Sequence, residues 1–210
     1  MHRRTALSVS AALLAAAPLL TACSGEARPG TAAVVGGERI TISALQAQTR
    51  DVRDAQNRSP HGAQLISDTA GLEKYKLNSM IQSLVLDRTA ENAGITLTPR
   101  DLQEARKERI AQSGGLAEFE SLALQKGGLA PSQIDRALRD QLILAKLNQK
   151  YGEGKIAAPA SAAAKQLGVK INPRYGAWDP TQLTVGPFTT PWIRQVTRPE
   201  QAAPEVQAAG

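Results

Sequence analysis

Leu77-Asn78-Ser79-Met80-Ile81-Gln82-Ser83-Leu84-Val85-Leu86-Asp87-Arg88-Thr89-Ala90-Glu91-Asn92-Ala93-Gly94 decides the fold class. Leu77, Met80, Ile81, Leu84, Val85 and the aliphatic stem of Arg88 recur at three- and four-residue spacing, which places them on one face of a helix. The pattern predicts a long helix over residues 69–92, stopped by Gly94 as a left-handed C-terminal cap. Thr98-Pro99-Arg100-Asp101 then opens another helix, because threonine caps the chain end, proline suits the first helical position and the acid reaches back. That helix is expected to reach Gln112 and to end at Ser113-Gly114-Gly115.

Outward from this centre the chain reads as helices with clear punctuation. On its N-terminal side, Ala32 to Val35 and Glu38 to Thr41 flank Gly36-Gly37 and predict a tight hairpin. Ser43 with Gln46 three residues later predicts the cap of a first helix ending near Asn57. Arg58 to Asp68, with Pro60 and Gly62, is expected to be loop. On the C-terminal side, Leu116 to Lys126 predicts a short helix with Phe119, Leu122 and Ala123 inward. Ser132 with Asp135 predicts the cap of a helix reaching Tyr151, with Ile134, Leu138, Leu142, Ala145 and Leu147 as its apolar set. Gly152, Gly154 and Pro159 break the pattern before a short alanine-rich helix, Ser161 to Leu167, and a strand at Val169-Lys170-Ile171. The fold class is therefore mainly α, with a small β-hairpin and strand element contributed by the N- and C-terminal segments.

The chain has 210 residues and a single cysteine, Cys23. Met1 to Arg4 form a basic start and Ala6 to Leu20 an apolar run shorter than a membrane-spanning helix, as in an export signal. The run ends in Leu20-Thr21-Ala22-Cys23, which matches the lipobox of bacterial lipoproteins. Residues 1–22 are thus expected to be a signal peptide cleaved between Ala22 and Cys23. The Cys23 thiol would carry the lipid, and a lipidated tether would run over residues 23–31. This places the protein on the extracytoplasmic face of a cell membrane. Residues 32–178 read as the folded domain, and residues 179–210 as a Pro/Ala/Gln-rich, partly disordered tail.

Composition narrows the chemistry. Dropping Arg3 and Arg4 with the signal takes the formal charge from +6 to +4, and acids interleave the remaining bases. No basic stripe marks a nucleic-acid surface, and aromatic residues are only 3%, too few for a base-stacking platform. Gly114-Gly115 and Gly127-Gly128 lack the residues of a phosphate loop and read as helix breaks, so no nucleotide is expected. Outside the signal one histidine remains, His61, in a polar segment where a solvated role outweighs a catalytic one. Glu104 and Glu108, set among Arg106, Lys107 and Arg109, read as a solvated charged face rather than an acid–base pair. Tyr175 and Trp178 read as packing anchors. No catalytic residue, metal site or cofactor is expected, and the client-contacting residues are not legible.

The order of these elements resembles the N-terminal domain of SurA-like periplasmic chaperones and the foldase lipoproteins of the PrsA type. The residues that carry the resemblance are the hairpin Ala33 to Thr41, the helix Asn78 to Leu86 with Ala90 to Ile95, and the junction Thr96 to Leu102. With them come the glycine-flanked helix with Phe119 and the run Gly128 to Ile134 before Leu138 to Leu144. Val169 to Gly176 is similar to the segment that returns to the chaperone domain after the catalytic domain of such proteins. Members with peptidyl-prolyl isomerase activity place a parvulin domain between these two parts. Here only about Gly152 to Ala160 separates them, far short of the ~100 residues a domain needs. The resemblance implies a chaperone body without the isomerase, hence no enzyme. It implies a holdase or foldase for unfolded or nascent exported polypeptides; the alternative is a module docking one defined envelope partner. Metabolic labelling with radioactive palmitate is expected to mark the intact chain and to be lost in Cys23→Ala; labelling that persists in the variant would place the lipid elsewhere.

Overall fold

A computed structural model describes residues 29–187, so Cys23, the cleavage position, the signal and most of the tether lie outside the described residues. The chain opens with β1 (Thr31–Val35) and β2 (Glu38–Thr41), an antiparallel hairpin pairing Val35 with Glu38 across Gly36-Gly37. Both turn residues take positive φ, +60° and +85°, which is why glycines occupy them. β1 starts at Thr31, one residue before the expected boundary, because the Thr31 side chain is fully buried and its hydroxyl accepts from Arg39.

Helix α1 (Ile42–Arg58) follows directly. Its cap is Thr41, whose Oγ1 accepts from the Ala44 N–H at 3.0 Å; Ser43 and Gln46 do not form the expected capping box. Ser43 already lies inside the first turn and its hydroxyl bonds to Thr41 instead. The segment expected to be loop contains a second helix, α2 (Gly62–Asp68). A seven-residue helix is too short to announce itself by periodicity and here depends on tertiary support. Leu65 packs with Val52, Ala55 and Leu72, while buried Gln56 donates to the Leu65 carbonyl and the Thr69 hydroxyl. A Cβ on Gly62 would stand 2.4 Å from the Gln56 carbonyl oxygen, so this close approach requires glycine.

Helix α3 (Leu72–Asn92) is the long central helix; it begins three residues later than expected because α2 and its turn occupy the preceding chain. Gly94 ends it at φ +66°, with the Ile95 N–H returning to the Ala90 carbonyl. In α4 (Pro99–Gln112) the expected cap is complete: Thr98 Oγ1 accepts from the Asp101 N–H, and the Asp101 carboxylate accepts from the Thr98 N–H. Helix α5 (Leu116–Gly127) presents Phe119, Leu122 and Ala123 half-buried and Leu124 fully inward.

Helix α6 (Ile134–Tyr151) begins after a 3-10 turn, Pro131–Gln133, rather than at a Ser132 cap. Ser132 instead donates to Asp51 of α1. Ile134, Leu138 and Leu147 are buried as expected, but Ile143 joins them while Leu142 is half-buried and Ala145 exposed. Five residues, Gly152 to Ile156, connect α6 to α7 (Ala157–Leu167). That helix starts four residues ahead of the expected Ser161, since Pro159 sits in its first turn, where no intrahelical N–H is lost.

The returning segment then closes the domain. β3 (Lys170–Ile171) pairs antiparallel with β1, giving the sheet order β2-β1-β3. β4 (Ala177–Asp179) and β5 (Thr184–Gly186) form a second hairpin, so ordered structure runs past residue 178 into the stretch read as tail. Val185 is buried in the main core and its N–H donates to Asn78 of α3, which fixes the hairpin there.

The principal core joins distant parts of the chain: Val35 and Ile40 of the hairpin, Leu45 of α1, Leu77, Ile81 and Val85 of α3, and Ala163 and Ala164 of α7. Alanines on α7 let its backbone lie close against α3, leaving little slack around Ile81. The observed architecture is mainly helical with small antiparallel strands, as the sequence predicts. Leu77 and Ile81 are fully buried, so Leu77→Ala should cost about 2–5 kcal/mol in urea unfolding. A loss below ~1 kcal/mol would mean that α3 is not the centre of the core.

Candidate client-binding cleft

Two helices carry matching rows of short or flexible side chains. On α3, Lys76, Ser79, Met80 and Ser83 follow one another at helical spacing; on α6 and the turn before it, Gln133, Ala137 and Asp140 do the same. Side chains as small as serine and alanine do not fill the space between two helices, so a cleft of about 280 Å³ remains. Ile40 and Glu38 of β2 bound one side, and Leu129 closes in from the α5–α6 connection. The lining mixes apolar surface with hydroxyl and amide groups.

Lys76 forms the most unusual part of this wall. It is only 3% exposed, and its Nζ donates to Gln133 Oε1 at 2.6 Å. Gln133, also buried, donates in turn from Nε2 to the Gln48 carbonyl of α1 at 2.8 Å, tying three elements together. Burial lowers the Lys76 pKa to about 8, since water no longer solvates the ammonium.

The opposite end of the wall is a charged network. The Ser83 hydroxyl donates to Asp140 Oδ2, while Arg136 Nε lies 3.0 Å from Asp140 Oδ1, paired in charge but not aligned as a hydrogen bond. Arg136 and Arg139 both reach Asp87 of α3, at 2.8 and 3.4 Å. Burial raises the Asp140 pKa above its ordinary value; the Ser83 hydrogen bond and Arg136 oppose this, and Asp87 adds to it.

The residues singled out in sequence fall apart in space. His61 is exposed at the start of α2. Glu104 accepts from Arg100 and Glu108 from Gln112 on the exposed side of α4, a solvated face as expected. Tyr175 is buried in the core and Trp178 packs against it, both as packing residues. Among the described residues no three potential metal ligands cluster, and no helix is long and apolar enough to cross a membrane. Lys76, Ser83, Gln133 and Asp140 were missed. The usable signal is a polar row at i, i+3 and i+7 on α3, which becomes a cleft wall only once α6 lies opposite.

The family model described as SurA-like N-terminal domain matches residues 4–148. The chain belongs to the SurA-like N-terminal domain family. No curated protein and no solved structure matches the chain significantly. The SurA-like match ends inside α6, so α7 and β3 to β5, which complete the core, lie beyond it. Hairpin, α3 and the α3–α6 cleft all fall within the matched stretch, and the fold is chaperone-related.

The Lys76 pKa has a consequence for stability. Between about pH 8 and pH 10.5 the unfolded chain holds a proton on this lysine that the folded chain has released. Stability therefore rises with pH through this window, and below it the buried charge costs on the order of 3 kcal/mol. Lys76→Met should remove that rise, so the difference between variant and native melting curves should shrink as pH climbs from 8 to 10. Parallel curves would show that Lys76 is solvated.

Proposed function

We propose that this protein is a lipid-anchored extracytoplasmic chaperone, a holdase or foldase that binds unfolded exported polypeptides and acts by binding rather than catalysis. The observation that carries the reading is the α3–α6 cleft: an open groove of mixed apolar and hydrogen-bonding character in a domain of the SurA-like N-terminal family. Apolar walls such as Met80, Leu84 and Leu129 give affinity for exposed hydrophobic side chains, and methionine adapts its shape to different ones. Hydroxyl and amide groups alongside can bond to peptide backbone, which every unfolded chain presents.

Other features support the reading. Tyr75, Leu116, Leu144 and Ile66 are large apolar side chains exposed on the surface, available for weak contacts outside the cleft. The basic start, apolar run and lipobox ending at Cys23 supply an export signal and an anchor, so clients would be met as they emerge from the membrane. With α6 joined to α7 by five residues, the position of the isomerase domain in parvulin-bearing relatives of the resemblance is a short connection here. Binding and release would then be governed by affinity alone, with the client's own folding removing the exposed segments.

The processed chain, held in mild detergent, should suppress the light scattering of several unrelated chemically unfolded proteins at near-stoichiometric ratios. Protection of none, together with recovery of one stoichiometric partner from envelope extracts, would make it a docking module for that partner instead.

A further inference from the structure

We infer that the α3–α6 cleft selects an acidic side chain of an extended polypeptide, with the Lys76 ammonium as its counter-ion; this rests on the client-binding reading above. A lysine ammonium has three donors, and Lys76 satisfies one of them on Gln133, a neutral amide. Among the described residues no carboxylate lies within 4.0 Å of its Nζ. A buried charge without a counter-charge is expensive, and a leucine or methionine would pack the same place at lower cost. Lys76 nevertheless lines a groove open to a ligand, where an incoming carboxylate completes the pair.

The other charges around the cleft leave this role to Lys76. Arg136 is engaged by Asp87 and Asp140, and Asp140 by Ser83 and Arg136. Glu38 stands exposed at the rim with no basic partner among the described residues. It repels a second carboxylate and so tunes the preference downward. Among the described residues the one buried charge without a counter-charge is cationic, which fixes the complementary ligand group as a carboxylate. Ile40, Met80 and Leu84 beside it suit aliphatic neighbours of the acidic residue. An unfolded chain offers many internal carboxylates and one terminal one, so a side chain is the occupant. The +4 charge of the chain after Ala22 draws acidic segments toward the surface.

Fluorescence anisotropy with the processed chain in detergent tests this with three labelled nonapeptides. The first carries one glutamate between two leucines and an amidated C-terminus. The second replaces glutamate by glutamine, and the third has that glutamine with a free C-terminal carboxylate. The glutamate peptide should bind about tenfold tighter than the glutamine peptide, the difference expected of one charge-assisted hydrogen bond. Lys76→Met should erase that ratio, and Glu38→Gln should widen it. Ala137→Trp, which adds bulk to the cleft from α6, should weaken both amidated peptides. Equal affinity for the first two peptides in the native protein would overturn the proposal without any variant being needed. An unchanged ratio in folded Lys76→Met would do the same, as would a preference confined to the free C-terminus. The broader reading fails separately: a protein that prefers glutamate tenfold but protects no unfolded protein from aggregation keeps the carboxylate site and loses the chaperone.

Discussion

The fold depends on the need of helix α3 to be covered on nearly all sides. A 21-residue helix in which Leu72, Leu77, Ile81, Val85, Thr89 and Ala90 are all buried cannot satisfy itself against one neighbour. Its cover comes from both ends of the domain. The β1–β2 hairpin and α1 approach from the N-terminal side, and α6, α7 and the β4–β5 hairpin from the C-terminal side. Because α7 and β3 complete the same core that the first strands begin, the domain is closed by sequence-distant contacts. Removing the returning segment would expose Ile81 and leave β1 with an open edge.

Polar groups inside this packing divide into those that are structural and those that are poised. Gln56, Arg53 and Thr69 bond one another and the carbonyls of α2, so they lock the α1–α2–α3 corner with little donor capacity left over. The Thr89 hydroxyl returns to the Val85 carbonyl within its own helix. Lys76 differs, since its charge is buried yet faces a groove and meets a neutral amide and the Tyr75 ring, with no carboxylate among the described residues. The contrast between a closed polar corner and an incompletely paired cation is what distinguishes scaffold from site. Lys76 lies in the second turn of α3, on the side that the Pro131–Gln133 turn covers, so its stem is buried while it still lines the cleft.

Much of the scaffold was legible because it is written in local chemistry. The Gly36-Gly37 turn, the Thr98-Pro99-Asp101 cap and the apolar spacing from Leu77 to Val85 each act within a few residues. The errors share a cause. Helix α2 is stabilised by Gln56 and Leu65 contacts that span helices, Ser132 was drawn away from its cap by Asp51, and Ile143 is buried only because Ala90, Ala93 and Leu147 surround it. Of the cleft, Met80 and Leu84 were legible as members of the apolar row on α3, but Lys76, Ser83, Gln133 and Asp140 carry no motif. A lysine in a helix reads as solvent-facing unless its neighbours in space are known.

By itself the sequence determined the helical class, the hairpin, the strand that returns to it, and the order of elements that marks the SurA-like family, since caps, turns and apolar periodicity are local properties of the chain. Tertiary structure alone decided that the row with Ser79 and Ser83 on α3 faces the row with Ala137 on α6, and that Lys76 is buried along their cleft with no carboxylate among the described residues beside it. Opposed faces and desolvated charges exist only once helices more than fifty residues apart are brought together.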